Sequence, residues 1–350
     1  MKKILLFSVL CVLAFAGCDN EFDLIDTWKE IPIVYGILDV TDNTHYIRVE
    51  KAFLDPETSA FVLAQEPDSL FFDNIQVELR ERDEEGQIER TIQLERVNAN
   101  DEGLIKEEGI FASDPNFLYK TDAILDAEFT YELRLTVNDS PEPIIAETPL
   151  IDEITVLTPV APSLSATFRL WSGLTEARFV WQHEPDAVFF DVDLRINYTE
   201  SMFGDPGSTV EKSIVWSVAR QFSPDIDESN PLNTSSLENI SHEIFKNFLV
   251  NNLVQDPNIC RDLTSVDLIL SSGGAELLNF INVGTANNNI TGSVPLNEYT
   301  NLSEGLGIFS TRQIFEVQGI QISDQVFIDM TTDVNTAGLN FRTISDGPCN

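Results

Sequence analysis

The sequence predicts a mainly β protein. Many of its segments alternate apolar and polar residues, a pattern that places every second side chain on one buried face of a strand. Short turn signals rich in Gly, Asn and Asp separate these segments. A hydrophobic content of 43%, including 23 phenylalanines, supplies apolar surface for packed cores and argues against a disordered acidic chain.

The first domain is predicted to span residues 31–150. Segments 31–40 and 44–54 form one predicted hairpin, and segment 74–97 forms a second. Segment 129–137, FTYELRLTV, alternates strictly, which predicts a strand with one buried face and one wet face. Several short strands with turns between them predict a β-sandwich of the immunoglobulin-like or transthyretin-like kind.

A β-rich second domain is predicted for residues 151–350. Its clearest strand pattern is FFDVDLRINY, residues 189–198. A helix is predicted near 241–254, because apolar residues recur there at a 3.6-residue period after a serine that is suited to capping. Residues 264–284 predict a strand, a Gly-Gly turn and a short helix, and further strands are expected from Ile308 onward. This domain therefore carries one or two helices.

Residues 1–17 are interpreted as a lipoprotein signal peptide. Their apolar run follows a basic start and is shorter than the roughly 20 residues that span a bilayer. Ala16 and Gly17 stand directly before Cys18, which resembles the lipobox of bacterial lipoproteins, with Phe15 in place of the usual Leu. Cys18 is therefore predicted to be the mature N-terminus and to carry acyl chains, such as palmitate, that hold the protein on a membrane.

The charge of the chain excludes one class of partner. The formal net charge is −37 and becomes more negative once the basic signal peptide is removed. Nucleic-acid phosphates would be repelled by such a surface, so no nucleic-acid partner is expected. Residues 18–30 predict a short acidic tether, and the absence of a basic patch implies a body attached to the membrane only through its acyl chains.

The chain has four cysteines, of which two remain in the mature body. Cys11 is lost with the signal peptide and Cys18 is acylated, which leaves Cys260 and Cys349. An envelope location permits these two to form a disulfide. The sequence leaves open whether they pair or are two unrelated thiols.

Few residues suggest a catalytic or metal-binding site. The three histidines, His45, His183 and His242, stand far apart in sequence without metal-ligand spacing, so we interpret them as structural and predict no metal site. Asp191 and Asp193 could form a glycosidase-like pair beside Arg195, but the wet face of a strand explains them better.

Two further patterns allow alternative interpretations. The segment DIDESN, residues 225–230, has calcium-loop spacing but fails the EF-hand pattern, because Asn230 stands where glycine is required. Weak surface calcium is left open there, and no other cofactor is predicted. Trp171, Trp181 and Trp216 lie in predicted strands, where core packing is favoured over an exposed platform that stacks on sugars.

Two stretches resemble a large family of Bacteroidota envelope lipoproteins that is defined only as a domain of unknown function. Residues 32–54 are similar to the family's opening strand pair, and residues 301–313 are similar to its closing Gly-Ile-Phe motif, with Ser310 where a glycine is common. The resemblance implies an outer-membrane lipoprotein, often encoded near TonB-dependent transporters. It transfers no catalytic residue.

The resemblance also gives a meaning to the tether. In this phylum an acidic cluster after the lipidated cysteine resembles the signal that directs lipoproteins to the outer leaflet, and Asp19, Glu21 and Asp23 supply such a cluster. A merely soluble tether is the alternative.

Three functions follow as expectations. The first is a non-enzymatic, surface-exposed lipoprotein that acts as a binding or accessory subunit of a β-barrel partner, such as a TonB-dependent transporter or an assembly machine. The second is a surface protein that binds glycans or nutrients. The third is an envelope hydrolase built on the acidic pairs.

Overall fold

The structure is a computed structural model. It describes residues 30–53, 58–152, 154–160, 168–227, 229, 232–289 and 298–342. From Ile31 onward the described residues belong to one compact unit. The signal peptide and nearly all of the tether lie outside the described residues.

The described chain is mainly β, as the sequence predicts. Its strands are β1 (Pro32–Leu38), β2 (His45–Lys51), β3 (Ile75–Arg82), β4 (Ile88–Gln93), β5 (Glu95–Asn98), β6 (Phe117–Thr121), β7 (Thr130–Val137), β8 (Ile144–Pro149), β9 (Thr155–Thr158), β10 (Arg169–Leu170), β11 (Ala177–His183), β12 (Phe189–Met202), β13 (Asp205–Phe222), β14 (Asn233–Ile240), β15 (Ile259–Gly273) and β16 (Leu306–Ile322).

Helices occupy a smaller share of the chain. They are α1 (Ala60–Leu63), α2 (Pro67–Leu70), α3 (His242–Asn252), α4 (Ala275–Asn289) and α5 (Asp324–Thr332), with 3₁₀ turns at Ala99–Glu102, Ser172–Leu174 and Ala337–Leu339.

The strands form three sheets. The largest runs in the order β13-β12-β15-β16-β1-β2-β6-β5, with β10 beside β16. A four-stranded sheet has the order β4-β3-β7-β8, and a three-stranded sheet has the order β14-β11-β9. The large sheet therefore contains strands from both predicted domains.

The N-terminal sandwich packs the β1-β2-β6-β5 end of the large sheet against the four-stranded sheet. Val34 and Ile47 from the first layer share a buried core with Val77, Tyr131 and Leu133 from the second. The chain changes layers between β4 and β5, which pair with different sheets. The predicted sandwich and both predicted hairpins are confirmed.

The C-terminal region has a core of its own. The alternating apolar residues of β12, which the sequence predicted to face one way, are all buried: Phe190, Val192, Leu194, Ile196 and Tyr198. They share a core with residues of the three-stranded sheet and of helices α3 and α5. In α3 the Ser241 side chain accepts a hydrogen bond from the Glu243 backbone N–H at 3.0 Å, which confirms the predicted helix start.

The last long strand connects the two regions. β16 pairs in parallel with β1 and antiparallel with β15. Its Phe309 lies in the N-terminal core, whereas its Val317 and Ile320 lie in the C-terminal core. The boundary predicted near residue 150 therefore falls between two hydrophobic cores that one sheet joins.

Two expectations about local structure were wrong. Glu132, on the expected wet face of β7, is only 2% exposed because Arg80, Arg82 and Arg134 surround its carboxylate. The helices were undercounted, since α5 lies where the sequence suggested only strands. Ser323 caps α5 by accepting a hydrogen bond from the Gln325 backbone N–H, a signal that the strand pattern before it obscured.

Candidate functional site

None of the predicted lipidation and export residues belongs to the part of the chain that the structure describes. Cys18, Asp19, Glu21 and Asp23 lie outside the described residues, and Cys349 does as well. Cys260 is fully buried at the start of β15 and is disulfide-bonded. Its pairing with Cys349 stays a prediction.

The core packing that the sequence favoured for the three tryptophans is confirmed, and the alternative of an exposed sugar-binding platform is wrong for them. Trp171, Trp181 and Trp216 are all buried in the C-terminal core. Trp171 stacks on Phe245 with 4.8 Å between ring centroids, and its indole N–H donates a 2.7 Å hydrogen bond to the Ile240 carbonyl. Their faces are therefore occupied by protein.

The acidic pair on β12 is neutralised by a neighbouring strand. Arg220 of β13 reaches the carboxylates of Asp191 at 2.9 Å and Asp193 at 3.1 Å. Arg195 instead pairs with Glu316 at 2.6 Å. An arginine shared by both aspartates suits a solvated ion-pair network, as the wet-face interpretation expects.

The calcium-like segment is partly outside the described residues, at positions 228 and 230. Of the rest, Asp227 accepts hydrogen bonds from both the backbone N–H and the hydroxyl of Ser229. These bonds lower the pKa of Asp227. Its carboxylate thus closes a local turn.

The histidines occupy three different settings. His183 is buried, and its ring nitrogens lie 2.8 Å from the Glu184 carbonyl and 2.7 Å from the Ser235 hydroxyl. Burial lowers the pKa of His183 and also that of His45. His45 and His183 are therefore buried structural residues, as interpreted from the sequence.

His242 belongs to the one cluster in the described part of the chain whose atoms could surround a metal ion, together with Glu243 and Asp329. Lys246, which is only 3% exposed, already forms ion pairs with both of these acids. Its ammonium lies 2.9 Å from Glu243, 2.5 Å from Asp329 and 3.0 Å from Asp333. Burial lowers the pKa of Lys246, but these bonds outweigh it and raise the pKa overall. The cluster is thus an ion-pair network between α3 and α5.

One cavity, of about 660 Å³, lies at the seam between the two regions. Glu81 and Arg90 line it from the sandwich, and Asp152 and Glu184 line it from the C-terminal region. Burial raises the pKa of Glu184, and the carboxylates of Asp152 and Asp186 raise it further. The cavity is acidic, and carboxylates are the nucleophilic side chains in its lining, which includes no serine, cysteine, histidine or lysine.

The wall of this cavity is fixed by a buried network. The Arg90 Nε donates to Glu81 at 2.7 Å, and the Tyr131 hydroxyl donates to the same carboxylate at 2.9 Å. Burial raises the pKa of Tyr131, so its hydroxyl keeps its proton and remains a donor. The network orders the turn after β6, because the Asp126 backbone N–H donates back to the Tyr131 oxygen.

A second cavity, of about 270 Å³, is a groove between α4 and the β1–β16 pair. Ile33 and Tyr35 line it from β1, Phe280 and Gly284 line it from α4, and Glu298 and Tyr299 line it before β16. The Tyr35 and Phe280 rings meet nearly at right angles. We call this site the aromatic groove.

The third feature is an exposed apolar surface, which we call the apolar patch. Phe61 is 71% exposed on α1, and Ile105 is 70% exposed on the loop between the Ala99–Glu102 turn and β6. The remaining members are also exposed large hydrophobic side chains: Val62, Leu104, Ile110 and Phe111. Sequence reasoning missed the patch, because its residues do not follow a strand or helix period. The short run Gly109-Ile110-Phe111 beside two glutamates was the available signal.

Hydrogen bonds hold the two segments of the patch together. The Ala112 backbone N–H donates to the Ala64 carbonyl at 2.8 Å, and the Gln65 side-chain amide donates to the carbonyls of Gly109 and Ile110. Beneath them lies a small core of Leu70, Phe71 and Ala112, with Phe53 and Phe117 packed against it. The patch is therefore displayed on a supported surface.

Comparisons with known proteins identify no family. No family model matches the chain, and no curated protein matches it. Among solved structures, trypsin-activated alpha-2-macroglobulin from Escherichia coli is similar at 10% identity and a TM-score of 0.20, covering 85% of this chain and 16% of that one. A mutant Salmonella alpha-2-macroglobulin gives 10% identity and a TM-score of 0.19, covering 83% and 16%. At these scores neither likeness carries an argument about function.

The chain spans about a sixth of the length of these two structures. Within the described residues, no helix is long and apolar enough to cross a membrane.

Proposed function

We propose that this protein is a non-enzymatic lipoprotein, anchored through Cys18 and displayed on the cell surface, that acts as an accessory subunit of a β-barrel membrane partner. The apolar patch is the observation that carries this proposal. Large apolar side chains exposed together on two hydrogen-bonded segments mark protein–protein contacts more often than single exposed residues do. Phe61 and Phe111 supply the aromatic anchors that such contacts favour.

The exposure of α1 supports a role for this helix in contacting a partner protein. None of the four residues of this short helix is buried, although all four are apolar. A helix of this length gains little stability from its own hydrogen bonds and normally depends on burying its apolar face. Burial against a partner would supply what the chain itself does not.

The charges around the apolar patch indicate which kind of partner surface would complement it. Exposed acids adjoin the patch in sequence on both segments, namely Glu66, Asp68, Glu107 and Glu108. Lys106 is the basic residue within the loop, and its ammonium lies 4.0 Å from Glu50. A complementary surface would have an apolar centre and a basic rim, which also suits a chain with a net charge of −37.

The non-enzymatic part of the proposal rests on the fate of the candidate carboxylates. Asp191 and Asp193 share Arg220, and neither lines the acidic cavity or the aromatic groove. The acidic cavity offers only carboxylates as possible nucleophiles, and Arg90 already pairs with one of them, Glu81. The membrane location rests on the lipobox and the acidic tether, which are sequence arguments.

A pull-down tests the partner. The chain is tagged at the C-terminus, extracted in mild detergent and compared with the double variant Phe61→Ser/Phe111→Ser and with Val334→Ser. Val334 is 89% exposed and lies away from both patch segments in sequence, so it is the matched control. Loss of two aromatic anchors should reduce recovery of an integral β-barrel protein about tenfold or more, and the control should not. Wild-type protein recovered alone, or equal recovery with the double variant, contradicts the proposal.

The anchor is tested separately. Cys18→Ala should abolish labelling by a palmitate analogue and release the body from membranes. Protease added to intact cells should digest the wild-type protein. Protection in intact cells, with digestion after lysis, would assign the protein to the inner face of the membrane.

A further inference from the structure

We propose that the aromatic groove binds an organic cation of the alkylammonium class, in which methyl or methylene groups surround the positive nitrogen. This site is separate from the apolar patch, and the proposal does not depend on the proposed function. Four features of the groove carry it: the arrangement of its rings, the sign of its charge, its size, and the open space at one glycine.

Three aromatic rings line the groove, and two of them pack against each other. The Tyr35 and Phe280 centroids are 6.3 Å apart, and the planes cross at 78°. Tyr299 lines the same groove. Edge-to-face packing leaves ring faces of the pair uncovered, and such negative faces attract quaternary ammonium groups in aromatic cages. Tyr35 is 46% exposed, so this wall is available to a ligand.

The charge of the groove has one sign. Glu298 lines it, and no lysine or arginine is among its lining residues. Glu276 adds a second carboxylate that accepts a hydrogen bond from the Tyr299 hydroxyl. The nearest basic residue by strand register is Arg48, opposite Tyr35, and its guanidinium is bonded to Glu50 and Asn116 at 2.9 Å each. A cation therefore meets carboxylates and ring faces, whereas an anion would be repelled.

The size of the groove limits the ligand. Its volume of about 270 Å³ lies just below the range of roughly 300–1,000 Å³ that drug-sized ligands occupy. The remaining lining is aliphatic, with Ile33, Val283 and Leu306. A trimethylammonium head with a short chain fits this volume and places its methyl groups on apolar walls.

Gly284 keeps the groove open on the α4 side. A Cβ atom added there would meet no atom of the described residues within 4 Å, and the backbone is helical. A larger side chain can therefore occupy the groove without a clash in the fold. Replacing a helical glycine also favours the helix by up to about 1 kcal/mol, so a blocked variant should remain folded.

A matched pair of probes tests the proposal by calorimetry on the full mature chain. Choline and 3,3-dimethyl-1-butanol have nearly the same shape, but only choline carries the charge. We expect choline to bind at least fivefold more tightly than its neutral isostere, and added salt to weaken choline alone. Equal affinities, or no measurable binding of choline at millimolar concentration, would overturn the proposal.

Variants locate the site. Gly284→Leu should abolish choline binding with the melting temperature unchanged or raised. Tyr35→Leu keeps apolar volume but removes a ring, and it should weaken choline at least fivefold. Tyr46→Leu, on the adjacent β2 and outside the groove lining, is its matched control and should leave the affinity unchanged. A folded Gly284→Leu protein that binds choline normally would sink the assignment.

Vesicles distinguish the source of the cation. Choline-type groups occur both as free solutes and as lipid headgroups. Co-sedimentation of a lipid-free Cys18→Ala chain with phosphatidylcholine vesicles, lost in Gly284→Leu, would assign a headgroup ligand. Binding of free choline without co-sedimentation would assign a soluble one.

Discussion

The two hydrophobic cores of this protein differ in where their residues come from. The C-terminal core is made from residues between Ile151 and Phe341. The N-terminal core is made from residues 34–150 and from two later ones, Leu302 and Phe309. The sandwich is therefore completed by a segment that the chain supplies near its end, whereas the C-terminal core borrows nothing from the sandwich.

This asymmetry teaches that a core and an independent domain are different things. The sequence places a boundary near residue 150, and the cores respect it apart from Leu302 and Phe309. The hydrogen-bonded backbone crosses this boundary, because β16 lies between β1 and β15 in one sheet. Cutting the chain at the boundary would expose a buried strand edge and remove a core phenylalanine.

The strongest test of this dependence is Gly307→Val. Gly307 has φ of +96°, and a Cβ atom there would lie 1.9 Å from the Val34 carbonyl oxygen on β1. The strain and the clash together should lower the free energy of unfolding by about 5 kcal/mol. Chemical denaturation followed by circular dichroism measures this change. Gly109→Val, at a glycine with no atom near its Cβ position, is the control and should cost far less.

A pair of core truncations comes next in size. Phe309→Ala and Phe245→Ala each remove a fully buried ring and should each cost about 4 kcal/mol. Their local effects should differ, because Phe309 packs in the sandwich and Phe245 in the C-terminal core. Hydrogen exchange should rise first in β1 and β3 for Phe309→Ala, and first in β12 and α3 for Phe245→Ala. The same exchange pattern in both variants would mean that the two cores open as one.

The smallest expected effect lies at the acidic seam between the regions. The pKa of Glu184 is raised by burial, so its charged form is disfavoured in the folded state. That penalty is absent below the unfolded pKa of about 4.3 and is fully present above the folded pKa. Glu184→Gln should therefore stabilise the protein at pH 7 by a few tenths of a kcal/mol, because solvent screens this partly exposed group.

Glu184→Gln should bring no such gain in stability at pH 3, because the glutamate is then protonated and as neutral as the glutamine that replaces it. Thermal unfolding at the two pH values measures the difference. Glu89→Gln removes one charge from exposed β4 and serves as the control for net charge alone. A gain that persists at pH 3 would assign the effect to packing.

Local signals predicted much of the fold. The turn at Gly86 and the cap at Ser241 appear as expected, and the apolar alternation of β12 is buried residue by residue. These features depend on neighbours within a few positions along the chain, so a single sequence contains the information. The closing Gly-Ile-Phe stretch was also noticed, but only as a resemblance. The structure gives it a reason, since Gly307 allows β16 to approach β1 and Phe309 fills the sandwich core.

The candidate sites were harder to predict. The aromatic groove joins Tyr35 to Phe280, and the apolar patch joins Phe61 to Phe111, across long separations in sequence. For the tryptophans, alternation correctly favoured core packing but left a sugar-binding platform open, because it indicates which face a residue takes and not whether another layer covers that face. Long-range pairing decides both questions.

By itself, the sequence determined the mainly β class, the start of the helix that Ser241 caps, several strands, the acidic character and the predicted location of the protein. These follow from composition, periodicity and short motifs. Only the tertiary structure decided that β16 lies between β1 and β15, that Glu132 and the tryptophans are buried, and that aromatic residues from three segments line one groove. The physical reason is that burial and side-chain contact depend on which strands become neighbours, and strand pairing over hundreds of residues leaves no local trace in the chain.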